Sequence, residues 1–266
     1  MTAPEAPAPR AVGPAAPPWP VVLVHGTRTS HSQWDLQLPA LRAAGHRVAT
    51  PDLPGHGSRR EEAFTLETAL ETIEHAARTL HESSGEPVLL VGSSLGGMLS
   101  IRAAADLDST PGILGGLVAC GAALQPGPRG ARLYGRLIAS ADLVPGMREG
   151  GALFQRILGA DGARAYLRGG RADLSVIAPA FAAVASLDLR RDLARITAPV
   201  TFLHGRGDQL RAHEKTLTAA APHGHLEVLP YGNHMVNLVA PGRFNADLLR
   251  VLERTQRERR GGASGS

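Results

Sequence analysis

The segment Val88-Leu-Leu-Val-Gly-Ser-Ser-Leu-Gly-Gly97 constrains the fold of this chain more than any other. Val88 to Val91 is a short, continuously apolar run, as expected of a strand buried on both faces. A helical pattern, Leu95 to Ala105, begins directly behind it. The chain must therefore pass from strand to helix through Gly92-Ser93-Ser94-Leu95-Gly96 with no connecting loop. Ser94 is then the centre of a G-x-S-x-G turn, which holds a serine in a strained backbone conformation. Glycines two positions before and after it let strand and helix approach closely. Centring the pattern on Ser93 fails, because Val91 and Leu95 would stand where glycine is needed. A plain Gly/Ser turn is the simplest alternative. A dinucleotide-binding loop does not fit, since G-x-G-x-x-G requires glycine at Ser94.

The same alternation of strand and helix runs through most of the chain. Val21 to Val24 reads as a strand ending in His25-Gly26, followed by helical spacing over Trp34 to Ala44. His46 to Thr50 is a second strand, leading into the turn-rich loop Pro51 to Gly57. Leu66 to Leu80 reads as a helix capped by Thr65. Ile113 to Ala119, Val200 to Leu203 and Leu226 to Leu229 complete the strands, and Phe244 to Leu252 is a closing helix. Apolar strands separated by helices imply an α/β fold, a mostly parallel sheet of about six strands covered on both faces. Between Leu124 and Leu187 the alternation stops. About sixty residues of Ala/Leu/Arg/Gly helical sequence intervene there, too many for a plain connection. They read as an inserted helical cap, with a long crossover helix as the alternative. The expected organisation is a core of residues 20–123 and 188–255, a cap of 124–187, and disordered tails at 1–19 and 256–266.

Composition narrows the function. The net charge is +4, but acids are dispersed among the bases and no zinc-finger or RNA-binding signature occurs. Nucleic acid is therefore not an expected partner. Lys215 is the only lysine, so the arginine excess reads as codon bias of a GC-rich, bacterial genome. Cys120 is the only cysteine, which excludes an intrachain disulfide and a cysteine-based metal cluster. The longest apolar run, Gly112 to Leu124, is too short and Gly-rich to cross a bilayer. The N-terminus lacks the apolar stretch of a secretory signal. A cytoplasmic protein with neither metal, cofactor nor membrane partner is expected.

A serine hydroxyl is a weak nucleophile unless a base takes its proton, and the base needs an orienting partner. After the fifth strand stands His204-Gly-Arg-Gly-Asp208, and after the sixth Tyr231-Gly-Asn-His234. Both lie at C-terminal ends of strands, where α/β sheets hold their ligands. Taken singly, Asp208 could be a helix cap and His234 an ordinary loop histidine. With Ser94 they make the order nucleophile, acid, base. Backbone N–H groups of Leu95 and Thr27 are the candidate oxyanion donors.

From Val21 to about Leu252 the chain resembles the α/β-hydrolase superfamily, in its compact esterase, lactonase and cofactor-free perhydrolase branch. The residues that carry the resemblance are Val24-His25-Gly26, Asp52-Leu-Pro-Gly-His-Gly57, Gly92-Ser-Ser-Leu-Gly-Gly97, His204-Gly-Arg-Gly-Asp208 and Gly232-Asn-His234. The resemblance implies a helical cap over the site and a sheet of eight strands. The Pro-rich sequence before Val21 leaves no room for the first two, so six are expected. It also implies a small-molecule acyl substrate and cleavage of an ester, lactone or thioester through an acyl-enzyme on Ser94. A biosynthetic cyclase or a ligand receptor on the same scaffold is the alternative. Thr27 replaces the bulky aromatic that often follows His-Gly, which leaves room beside the oxyanion site.

His56 and Asp52 are expected to be structural, and Cys120 a buried, inert thiol. Ser93 and His31 are expected near the pocket, outside the reacting group. Eight arginines between Arg129 and Arg171 read as a solvated cap face, or as attraction for an anionic substrate or an acyl-carrier partner.

Overall fold

In the computed structural model, residues 17–140, 143–144 and 151–263 are described. They contain a six-stranded, all-parallel sheet in the order β2-β1-β3-β4-β5-β6. Its strands are β1 (Val21–Val24), β2 (Val48–Ala49), β3 (Val88–Ser93), β4 (Leu114–Cys120), β5 (Val200–Gly207) and β6 (Gly224–Asn233). The chain goes from β1 outward to β2, then returns past β1 to β3 and continues in one direction to β6. That reversal between β1 and β3 opens a crevice at the C-terminal ends of the two strands, the usual ligand position of such sheets.

The alternation of side chains along each strand divides the core in two. Val21, Leu23, Leu89, Val91, Val118 and Leu203 face Leu41 of α1 (Leu38–Ala43) and Phe244, Leu248 and Leu252 of α10 (Pro241–Ala263). Val22, Val24, Leu90, Leu117 and Phe202 point the other way. They meet Ala69, Ile73 and Ala77 of α2 (Leu66–Ser84) and Leu99 and Ile101 of α3 (Leu95–Leu107). Central strands buried on both faces read as unbroken apolar runs for this reason. The α2 helix begins where the sequence predicts: Thr65 Oγ1 accepts from Thr68 N at 3.1 Å, and Gly85 ends the helix in the left-handed conformation.

Between β4 and β5 stand α4 (Pro128–Ser140), α5 (Ala152–Arg168), α6 (Ile177–Ala185) and α7 (Leu189–Ala194). This helical insertion takes the place of the expected cap. Ala180 and Val184 of α6 join the main core, and Tyr134 of α4 packs edge-on against Phe181 at 5.6 Å between ring centres. On α5, Phe154, Leu158 and Tyr166 form a separate cluster with Leu238 of the short α9 (Val236–Val239). Arg168 ties the insertion to the core through two hydrogen bonds to Asp35.

Both terminal expectations need correction within the described residues. Residues 1–16 and 264–266 lie outside them. Trp19, assigned to the disordered N-terminal tail, is only 3% exposed. Its ring lies under Gly115, and the Trp19 backbone N–H donates to Gln256 Oε1. The tail from 256 is helical: α10 continues to Ala263. Its polar sequence disguised this because its arginines meet carbonyls and acids of the core. Arg259 reaches Asp108 at 3.3 Å, and Arg260 donates to Pro17 O and sits over the Trp19 ring. Few apolar residues are needed when charge-assisted bonds hold a helix end.

Candidate active site

Ser94 sits at the junction of β3 and α3 with φ +53° and ψ −116°, a conformation that costs a side-chain-bearing residue about 1–3 kcal/mol. The surroundings enforce it. Ser94 N donates to Cys120 O at 2.8 Å, and Ser94 O accepts from Met98 N at 3.0 Å. A Cβ on Gly92 would stand 2.5 Å from Gly96 O, and one on Gly96 would stand 2.4 Å from His25 O. The two glycines therefore allow strand, helix and the β1 loop to meet at one point.

Asp208 directly follows β5 and is 8% exposed; His234 directly follows β6. Asp208 Oδ1 accepts from Leu210 N at 2.8 Å and lies 2.9 Å from His234 Nδ1. An ionised carboxylate only accepts, so Nδ1 carries the proton and Nε2 keeps its lone pair. Burial alone would raise the Asp208 pKa. The hydrogen bond and charge of His234, with the Leu210 N–H, outweigh it and hold the carboxyl below its ordinary value. Ser94 and His234 line one cavity of about 230 Å3, which Thr27 also borders. Among the described residues no hydrogen bond joins Ser94 to His234, a step that often closes only when substrate is bound.

His204 lies beneath this pair, fully buried, with Nδ1 accepting from Gly121 N and 4.0 Å from Asp208 Oδ2. Burial drives its pKa down to about 4, so the ring is neutral near pH 7. Cys120 is buried beside Asp208, and both facts push its thiol pKa up. It is a buried thiol, as the sequence reading expects.

The Thr27 loop is held from two sides. Gln33 Oε1 accepts from Gly26 N at 2.7 Å, and its Nε2 donates to Ser93 Oγ at 2.9 Å, tying the loop to the Ser94 turn. His25 Nε2 accepts from Leu53 N at 3.0 Å, and His56 Nε2 accepts from Arg28 N at 3.3 Å. Each ring donates its other nitrogen to a nearby carbonyl, so both are neutral; burial, foremost, holds His25 at about 3. Asp52 accepts from His31 N, Ser58 N and the Ser58 hydroxyl. Burial opposes its ionisation, yet these bonds and the His31 side chain hold it at about 2. Leu95 is the first residue of α3, so its N–H has no partner within the helix and stands beside Ser94.

Of the other residues singled out, Ser93 does lie next to the cavity, whereas the His31 ring is engaged by Asp52 at 2.9 Å and is not part of the lining. His225 pairs with Glu258 at 3.0 Å at the start of β6, the opposite end of the strand from His234. Among the described residues no three metal-ligating side chains come together, and no helix is long and apolar enough to cross a membrane. The sequence reading did not single out Gln33, Tyr134 or Gln209, all of which border Ser94's cavity, and it counted Arg171 only among the cap arginines. Nothing local marks them, because insertion and core meet only in three dimensions.

Residues 21–247 match the model of the alpha/beta hydrolase family. The chain is 27% identical over 249 residues to (E)-2-((N-methylformamido)methylene)succinate hydrolase of Acinetobacter baylyi, covering 89% of this chain and 91% of that one. A crystal structure of a hydrolase from Pseudomonas aeruginosa is 27% identical and superposes with a TM-score of 0.67, covering 90% of this chain and 91% of that one. A thermophilic esterase from Thermogutta terrifontis, 20% identical, shares the fold with a TM-score of 0.68 over 90% of this chain and 91% of its own. A family match across most of the chain, on a parallel sheet with a serine at the β3–α3 turn, places this protein in the alpha/beta hydrolase family.

Proposed function

We propose that the protein is a serine hydrolase that cleaves an ester, lactone or thioester through an acyl-enzyme on Ser94. The observation that carries this reading is the 2.9 Å bond from His234 Nδ1 to Asp208, which leaves Nε2 as the accepting nitrogen in a cavity shared with Ser94. Ser94 Oγ attacks the carbonyl carbon while its proton passes to His234 Nε2. Asp208 stabilises the imidazolium so formed. The developing oxyanion accepts from the N–H groups of Thr27 and Leu95, donors typically worth about 3 kcal/mol each in the transition state. The bond to the leaving group breaks as His234 returns the proton to it. Water, deprotonated by His234, then attacks the acyl carbon, and Ser94 Oγ recovers the proton. Members of the family hydrolyse esters, lactones and amides, which agrees with this chemistry.

The direct test is covalent labelling by a fluorophosphonate, read by intact mass and peptide mapping. One adduct on Ser94, absent from Ser94→Ala, is expected. An unlabelled protein would favour the cyclase or receptor alternative.

A further inference from the structure

Ser94 is the floor of two chambers rather than one. The first, about 230 Å3, is the cavity that contains His234; beside Gln33 and Arg171 its lining is largely apolar, with Ile138, Phe154, Leu158 and Met235. The second, about 430 Å3, lies between α3 and the inserted helices, lined by Leu95, Met98, Leu124, Leu137, Phe181 and Val184. Among the described residues it has no charged lining group. Its Gln125 is already committed, donating to Leu187 O at 2.8 Å and accepting from Leu189 N at 2.9 Å. Ser94, Tyr134 and Gln209 border both chambers, and Gln209 Nε2 donates to the Tyr134 hydroxyl at 3.2 Å. That bond joins insertion to core where the two chambers meet. The two candidate oxyanion donors also divide: Thr27 borders the chamber with His234, and Leu95 borders the apolar one.

We propose that this partition divides the substrate, with a hydrocarbon acyl chain in the larger Met98–Phe181–Val184 chamber and a small leaving group in the chamber that contains His234. The proposal rests on acyl transfer at Ser94. Its direction follows from the proton. His234 must deliver a proton to the departing oxygen or sulfur, so the leaving group occupies the chamber that His234 lines. The acyl carbon is bonded to Ser94 at the junction, and its chain extends to the other side. The apolar walls then gain contact with each added methylene. Leu133 and Leu137, 70% and 62% exposed, carry the hydrocarbon surface out to the mouth. The substrate class is an ester or thioester of a medium-length aliphatic acid with a small alcohol or thiol.

The test measures kcat/KM for p-nitrophenyl esters from acetyl to dodecanoyl, and for acetate esters of alcohols from ethyl to octyl, with fluorophosphonate labelling alongside. Octanoyl esters should exceed acetyl esters by at least roughly tenfold, whereas lengthening the alcohol should give less than about threefold. Met98→Phe, which narrows the apolar chamber, should shift the optimum to shorter acyl chains. Phe181→Ala, on a different element, should shift it to longer ones. An acetyl optimum, or a preference for long alcohols instead of long acids, in a protein that labels at Ser94 would overturn the division while acyl transfer stands. No turnover and no adduct would remove both.

Discussion

A methyl group added to Gly121 would stand 2.8 Å from His234 Nδ1 and 2.9 Å from Asp208 Oδ2, and the residue's φ of +57° disfavours any side chain. Gly121→Ala must therefore displace the pair on which the proposed chemistry depends. Misplacement of that size costs about 10²-fold in rate, so kcat/KM for an ester should fall by about that factor while the protein remains folded by circular dichroism. Wild-type kinetics in this variant would mean the pair is not in use. Ser94, Asp208 and His234 were legible in the sequence because each lies at a strand end fixed by an apolar run. Gln33, Tyr134 and Gln209 were not. A glutamine that clamps two loops looks like any surface glutamine until β1 and β3 are brought side by side.

At the scale of elements, the strands and α2 followed from apolar runs and capping chemistry, but the last turns of α10 did not. Arg254 to Arg260 carries almost no apolar residue, and its anchors, Pro17, Trp19 and Asp108, are remote in sequence. The periodicity rule detects a helix through its buried stripe, so a helix end held by polar bonds escapes it. The docked end has a measurable consequence. Trp19→Ala removes a ring packed under Gly115 and beside Arg260, and should destabilise the fold by about 3 kcal/mol in urea unfolding. Truncation after Leu252 should lower the melting temperature as well. Unchanged stability in both would show that this end of α10 is not part of the cooperative unit. The insertion was legible as helical and the resemblance implied its place over the site, but the contacts that seat it there, the Tyr134–Phe181 contact and the Tyr134–Gln209 bond, were not.

For the whole molecule, buried neutral histidines set how stability depends on pH. His25 and His204 titrate in the fold at about 3 and about 4, against 6.5 for a free imidazole, and burial lowers His56 as well. As pH falls below 6.5 the unfolded chain takes up protons that the native state refuses, so stability decreases. Asp52 extends the loss between 3.8 and about 2, again because the unfolded chain binds the proton first. Melting temperature should therefore be steady above pH 7 and decline from about pH 6.5, well before carboxylates titrate. A level melting temperature down to pH 5 would contradict this. The same core carries the proposed chemistry: two packed faces hold the parallel strands together, and their C-terminal ends carry the Thr27 loop, Ser94 and the Asp208–His234 pair. The measurement that tests this most directly is the hydrolysis of p-nitrophenyl octanoate by the wild type beside Ser94→Ala and His234→Ala. The account predicts turnover in the wild type and a fall in kcat of at least about 10⁴-fold in each variant. Variants as active as the wild type, or a wild type no faster than buffer, would contradict it.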